Sequence, residues 1–218
     1  MKIIGLFHMS PAKTNNRIIQ RDFFNRPTVM VARKLLGKTL VRELPKYGRV
    51  SVKIVEAEAY VGIDDKACHA SKGMTDRNKV MFGEPGHAYV YMIYGMYFCL
   101  NLVTEENGFP AAVLIRAGEL IEGIEKMKEL RGDKARKLED LTSGPGKLCK
   151  AMDITRDLNG IDVCSKGPLY VEDTPDKKYH IVSCTRIGVD YAGEDRLKPW
   201  RYYIKGNKFV SKRSPDDK

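Results

Sequence analysis

Residues Tyr89–Asn101 read Y-V-Y-M-I-Y-G-M-Y-F-C-L-N, and this stretch decides how the centre of the chain folds. Tyr89, Tyr91 and Ile93 recur with period two, as one face of a strand does. Tyr94-Gly95-Met96-Tyr97 then breaks the alternation with a glycine, and a second apolar run follows. That is strand, tight turn, strand. Hairpin turns ordinarily carry Asn or Asp with Gly; this one carries large, flat, half-polar rings. Four of the chain's 11 tyrosines fall here, with Phe98 beside them. Rings displayed at a turn, on a chain of net charge +10, suit a surface that stacks on bases or wedges between them.

Outward from the hairpin, Arg49–Tyr60 (RVSVKIVEAEAY) reads as a long strand with Val50, Val52 and Ile54 on one face, after a shorter strand at Lys38–Leu44. Further strands are expected near Ala112–Arg116, Leu169–Val171, His180–Arg186 and Trp200–Ile204. Pro27–Leu36 reads as a helix, with Pro in its first turn and Gly37 as its stop. Glu119–Arg131 reads as an amphipathic helix with the stripe Leu120, Ile124, Met127 and Leu130. Ser143-Gly-Pro-Gly-Lys-Leu148 opens another, with Thr142 or Ser143 as cap and Pro145 in the first turn. Gly62–Pro85 is loop-like. Strands outnumber helices and hairpin spacing is common. The expectation is an α+β fold: a single domain over residues 1–218, around a mixed, mainly antiparallel curved sheet with surrounding helices and a protruding tyrosine-bearing hairpin.

Composition narrows the function classes. Lys and Arg number 38 against 28 Asp and Glu. Arg196–Arg213 holds seven basic residues and no acidic one, interleaved with Trp200, Tyr202, Tyr203 and Phe209; such a surface would contact phosphates. No segment approaches the roughly 20 apolar residues of a membrane span, and Met1–Ser10 lacks the length and cleavage site of a signal peptide. The 5 cysteines are scattered without a C-x-x-C pair, which points to reduced thiols in an intracellular compartment, cytoplasmic or nuclear, with no disulfide framework and no zinc knuckle. Gly144-Pro-Gly-Lys147 lacks the glycine and the Ser or Thr that a phosphate loop needs at positions 141 and 148, where this chain has leucines. His8, His69, His87 and His180 form no H-E-x-x-H pattern, so no metal site is expected.

Glu56, Glu58 and Tyr60 share one face of the long strand by period two. They share parity with Val50, Val52 and Ile54, so they reach the opposite face only if the alternation slips at Val55. Two readings stand: an edge strand with solvated carboxylates, or a carboxylate beside a ring that serves as general base.

Several stretches, in order, resemble the alkyladenine DNA glycosylase family, also called the 3-methyladenine or methylpurine DNA glycosylases. They are Leu36-Gly-Lys-Thr-Leu-Val-Arg42, Ile54-Val-Glu-Ala-Glu-Ala-Tyr60, Arg77-Asn-x-x-Met-Phe82, Tyr89–Asn101, Ser143-Gly-Pro-x-Lys-Leu-Cys149, and Gly193-Glu through Lys198-Pro199. The resemblance covers about residues 25–210. It implies a monofunctional DNA repair glycosylase, acting as a monomer on duplex DNA that contains damaged purines, with no metal, organic cofactor, membrane or stable protein partner. By that resemblance Glu58 is the general base that activates water for attack on C1′, and Arg116 helps hold the water and the anionic groups. The carbonyl of Ile187 is a further water contact. Tyr60, His69 and Tyr91 wall the base pocket, with the His69 N–H meeting the purine edge. Tyr94 is the wedge that fills the gap left by the flipped nucleotide, and Asn101 crowds the guanine 2-amino group. His69 is followed here by Ala70-Ser71, where some members have serine directly, and the loop Met74–Glu84 has its own composition; both bear on substrate breadth. Rival readings are a catalytically silent nucleic-acid-binding module, a glycosylase/lyase using a lysine amine, and a metal-dependent phosphodiesterase using Glu56, Glu58 and His69.

Overall fold

The structure is a computed structural model that describes residues 17–175 and 177–217; Met1–Ser10 and His8 lie outside the described residues. Its strands are β1 (Arg17–Ile18), β2 (Thr39–Leu44), β3 (Gly48–Val61), β4 (Ala88–Ile93), β5 (Tyr97–Val103), β6 (Ala111–Glu122), β7 (Leu169–Asp173), β8 (Ile181–Cys184) and β9 (Arg201–Ile204). They form one nine-stranded sheet in the order β1-β7-β2-β3-β6-β5-β4, with β9 on β3 and β8 on β9. Every strand pairing among the described residues is antiparallel. With helices α1 (Arg21–Phe24), α2 (Thr28–Leu35), α3 (Ile124–Arg131) and α4 (Pro145–Ala151), the class is α+β, as expected. No helix among the described residues is long and apolar enough to cross a membrane.

Strand β3 organises the sheet. β6 pairs with it from Ser51 to Val61, whereas its other edge is shared: β2 takes Gly48–Lys53 and β9 takes Glu56–Glu58. Between these two partners the register slips, first between Ile54 and Glu56 and then between Glu56 and Ala57. A bulge exchanges the faces of everything beyond it. The main core takes Val50, Val52 and Ile54 before the slip, then Val55, Ala57 and Ala59 after it. Glu56, Glu58 and Tyr60 are thereby turned to the opposite face. The strand is interior and both carboxylates are fully buried, which corrects the edge-strand reading.

Other boundaries shift for identifiable reasons. The helix expected from Glu119 begins at Ile124, because β6 continues to Glu122. Glu119 pairs across the strands with Lys53, their charges 2.7 Å apart, and Gly123, at φ 75°, makes the break. Pro145 opens α4 as expected, but its cap is Gly144 and no side chain bonds there. The Thr142 hydroxyl instead donates to the Gly118 carbonyl at 2.5 Å. The basic stretch Arg196–Arg213 is not a continuous surface either, since Arg201, Tyr202 and Tyr203 are buried. Gly62–Pro85 is a loop holding two short 3-10 turns, His69–Lys72 and Lys79–Phe82.

Gly118 lies beside the slip, opposite Ile54. A Cβ there would stand 2.5 Å from Val52 Cγ2 and 2.7 Å from Val52 Cβ. Gly118→Ala is therefore expected to destabilise the protein by about 1–3 kcal/mol through overpacking, read from its urea midpoint. An unchanged midpoint would mean that β3 and β6 have slack at this point.

Candidate active site

One transverse row of the sheet carries the site. Tyr89 on β4 faces Asn101 on β5, Asn101 faces Leu114 on β6, Leu114 faces Glu58 on β3, and Glu58 faces Arg201 on β9. Positions of like parity on these strands add Tyr91, Arg116 and Tyr60 to the same face. A cleft of about 350 Å³ opens on it, lined by Tyr60, His69, Tyr89, Tyr91, Tyr94, Asn101, Arg116, Ile187 and Tyr191 together with smaller apolar residues. The structure thus gathers all of the sequence-predicted residues at one cleft. Glu58 alone stands behind the lining, reached through three of its members.

The Glu58 carboxylate is held on both oxygens. Tyr60 donates its hydroxyl to Oε2 at 2.8 Å, and Arg116 Nη1 donates to the same oxygen at 3.2 Å. The Ile187 N–H donates to Oε1 at 2.8 Å; the sequence had offered only the Ile187 carbonyl. Burial and the Glu58 charge hold the Tyr60 phenol well above its ordinary value, so it stays protonated as a donor. Burial pulls the Arg116 guanidinium down, but Glu58 and Glu56 outweigh it and the group lies above its usual range. A permanent cation therefore bridges the two carboxylates, through Nε to Glu56 at 3.0 Å and through Nη1 to Glu58.

Ile187 sits on the connection between β8 and β9, which needs an anchor. Arg186 supplies it. Its guanidinium donates to both oxygens of Asp65, at 2.5 and 2.8 Å, and to the carbonyls of Ala59 and Asp195. It also lies over the rings of Tyr60 and Trp200, at 4.9 and 5.1 Å, so the loop that touches Glu58 and the ring that touches Glu58 share one fastening. Asp65 and Arg186 are 121 residues apart in sequence, and no local pattern announces the pair.

The facing wall is built from β4 and the first 3-10 turn. His69 Nδ1 lies 3.0 Å from the Tyr89 hydroxyl, and its ring meets Tyr91 edge-on at 4.5 Å. Asn78 fixes the turn by donating to the carbonyls of His69 and Gly73, at 3.0 and 2.9 Å. Arg77 lies over Tyr91 at 5.0 Å. Burial, aided by the Arg77 charge, lowers His69 to about 4, so the imidazole is neutral near neutral pH. Asn101 satisfies one amide hydrogen on the Tyr89 carbonyl at 3.1 Å and still lines the cleft. The sequence marks Tyr89 only as part of the hairpin; its parity with Tyr91 is the sign that it belongs to this wall.

Tyr94 occupies the hairpin tip. The Met96 N–H donates to the Ile93 carbonyl at 3.2 Å, with Tyr94 at φ 51° and Gly95 at φ 69°. Both central residues of the turn are left-handed, a type I′ geometry that matches strand twist and ordinarily selects Asn, Asp or Gly. A tyrosine in that position is strained, and it is 86% exposed.

Residues 22–208 match the family described as methylpurine-DNA glycosylase. The chain belongs to the methylpurine-DNA glycosylase family. A curated relative from Methanocella arvoryzae is 69% identical over 200 residues, covering 92% of this chain and 98% of its own length. Relatives from Alkaliphilus oremlandii and Clostridium acetobutylicum are 48% and 49% identical, covering 89% and 88% of this chain and 99% and 96% of their own. All three carry the provisional name of 3-methyladenine DNA glycosylase.

The neutral His69 has a measurable consequence. Its value falls from 6.5 to about 4 on folding, so the unfolded chain binds more protons between these limits and stability rises with pH across them. Stability is therefore expected to be lost progressively as pH falls from about 6.5 to about 4. His69→Gln should flatten that segment of a plot of Tm against pH; an identical slope would show that other groups set it.

Proposed function

We propose that this protein is a monofunctional DNA N-glycosylase that flips a damaged purine out of duplex DNA and hydrolyses its N-glycosidic bond, the opening step of base excision repair. The observation that carries the reading is Glu58: a carboxylate without solvent exposure, held by Tyr60, Arg116 and the Ile187 N–H, behind a cleft walled by aromatic rings. A site for binding DNA alone has no use for a buried negative charge facing phosphates.

The chemistry follows from the parts. Flipping costs a few kcal/mol, least for a badly paired base, and the exposed Tyr94 ring fills the vacated space as a stacking surrogate. The base stacks between Tyr60 on one side and Tyr91 with His69 on the other. Glu58 accepts a proton from water as the oxygen bonds to C1′ and the purine departs with the electrons of the C–N bond. A carboxylate near C1′ also favours the oxocarbenium-like transition state of glycoside hydrolysis. Purines alkylated at N3 or N7, such as 3-methyladenine and 7-methylguanine, carry a positive charge, leave readily, and meet electron-rich rings. Hypoxanthine and ethenoadenine are neutral and need a proton or strong hydrogen bond to depart. Asn101, bonded to the Tyr89 carbonyl on the neighbouring strand, crowds a guanine 2-amino group in this reading. The cleft lining holds no lysine among the described residues, which favours hydrolysis by water over a Schiff-base lyase. The protein acts as a monomer in this reading, without metal or organic cofactor.

Single-turnover release from duplexes containing hypoxanthine, ethenoadenine or 7-methylguanine, with chelator present, tests this directly. Glu58→Gln is expected to keep lesion binding and to slow release by about 10²–10⁴-fold; normal turnover would remove Glu58 from the mechanism. Tyr94→Ser is expected to lower affinity for a lesion duplex by about 5–150-fold, the stacking of one ring being worth roughly 1–3 kcal/mol. Unchanged affinity would mean that Tyr94 is not the wedge.

A further inference from the structure

Glu56 lines no part of the cleft, yet it is fully buried and accepts four hydrogen bonds. Arg116 Nε donates to Oε1 at 3.0 Å, Arg201 Nη1 to Oε1 at 3.0 Å, the Ser211 hydroxyl to Oε1 at 2.9 Å, and the Ser211 N–H to Oε2 at 2.7 Å. These donors come from β6, from β9, and from the segment after β9. Ser211 lies seven residues after the end of β9 and closes the cluster from that side.

The arrangement constrains Arg116. A guanidinium beside a carboxylate frequently pairs with both of its oxygens in a parallel fork. Here Nε is committed to Glu56, and Nη2 points to the Ser211 hydroxyl at 3.4 Å. Arg116 meets Glu58 through Nη1 alone, in one long contact of 3.2 Å with one oxygen. Arg201 reinforces this by bonding Glu56 while also holding the carbonyls of Thr185 and Lys212, so the second carboxylate is fixed from the side away from the cleft.

We propose that Glu56 is a positioning residue of the glycosylase reaction: by holding Nε of Arg116 it keeps that arginine from forking onto Glu58 and so preserves Glu58 as a proton acceptor. The proposal rests on the glycosylase reading for its kinetic consequence, not for its electrostatic one. Removing the Glu56 charge takes a like charge from beside Glu58 and releases a cation toward it. Both changes favour the ionised form of Glu58. The other groups near Glu58 are Tyr60 on β3, Cys99 on β5, Cys184 on β8, Arg201 opposite it on β9, and Arg186 with the Ile187 N–H from the β8–β9 connection. They are common to both proteins being compared, so a difference reports Glu56.

The test compares the full chain with Glu56→Gln. The Glu58 carboxyl is titrated by ¹³C NMR on glutamate-labelled protein, assigned with Glu58→Gln. Affinity for a hypoxanthine duplex and its single-turnover excision are measured alongside. The expected result is a Glu58 titration midpoint lower by about one pH unit. Excision slows by about 10–100-fold, affinity stays within about threefold, and Glu56→Asp recovers part of the rate. A midpoint that is unmoved or higher, or excision at the original rate, overturns the proposal. So does a parallel loss of affinity, rate and stability with no fall in the midpoint, which is what a merely structural carboxylate would give. Should Glu56→Gln fail to fold, Glu56→Asp decides alone: its shortened carboxylate is expected to slow excision at unchanged affinity, and excision at the original rate overturns the proposal. Absence of base release by the unaltered protein would sink the glycosylase reading, while the NMR titration still decides the effect of Glu56 on Glu58.

Discussion

Two carboxylates and two guanidiniums, those of Glu56, Glu58, Arg116 and Arg201, are buried together at the middle of the sheet. Taking such ions out of water costs several kcal/mol apiece, and well-packed apolar residues often serve stability as well or better. Stability alone therefore does not account for such a cluster. It is tolerated because it is neutral as a whole and because its oxygens and nitrogens are met by neighbours from four directions: the Tyr60 hydroxyl, the Ile187 N–H, Ser211, and the carbonyls bonded by Arg201. The shape of the surroundings follows. β9 must lie against the second half of β3 to deliver Arg201, β6 must reach past Arg116, and the β8–β9 connection must come back over Glu58.

The sequence spoke clearly where structure is local and periodic. The hairpin Tyr89–Asn101, the strand through Glu56–Tyr60, the α2 helix and the Pro145 start of α4 are all read from short patterns, and the structure has them. The failures were of two kinds. Glu119–Glu122 carries a helical stripe, but pairing with β3 overrode that local preference; the partner strand is some 70 residues away and leaves no mark nearby. Arg201, Tyr202 and Tyr203 looked like a surface because they belong to a basic, aromatic stretch, yet a strand buries what charge counting exposes. The slip at Val55 was legible only as a conflict of parity: Val50, Val52 and Ile54 share even positions with Glu56, Glu58 and Tyr60, and one face cannot both pack the dry core and carry two carboxylates. That conflict was the sequence's one sign of a bulge.

The site shows the same division. Residue types and spacing marked Glu58, Tyr60, Tyr91 and Tyr94 through family resemblance. What holds them did not appear: Arg186 with Asp65, Asn78 under the His69 turn, Ser211 on Glu56. Each joins segments far apart in sequence or is a common surface residue type, and each acts by completing hydrogen bonds that exist only once the sheet has formed. Fastening is long-range, so a linear reading finds the tool before it finds the vice.

The shared edge of β3 also divides the protein's resistance to opening. β2 and β7 complete the sheet beside Gly48–Lys53, whereas the half bearing Glu56 and Glu58 has only the short β9, itself backed by the short β8. A ribbon of two short strands at a sheet margin detaches at lower free energy than the sheet behind it. The β8–β9 ribbon is nevertheless tied down by its side chains, because Tyr202, Tyr203 and Ile204 of β9 belong to the main core. Any opening that brings water to the buried carboxylates from this side must therefore draw those rings out of the core, which couples the dryness of Glu56 and Glu58 to the packing of a four-residue strand.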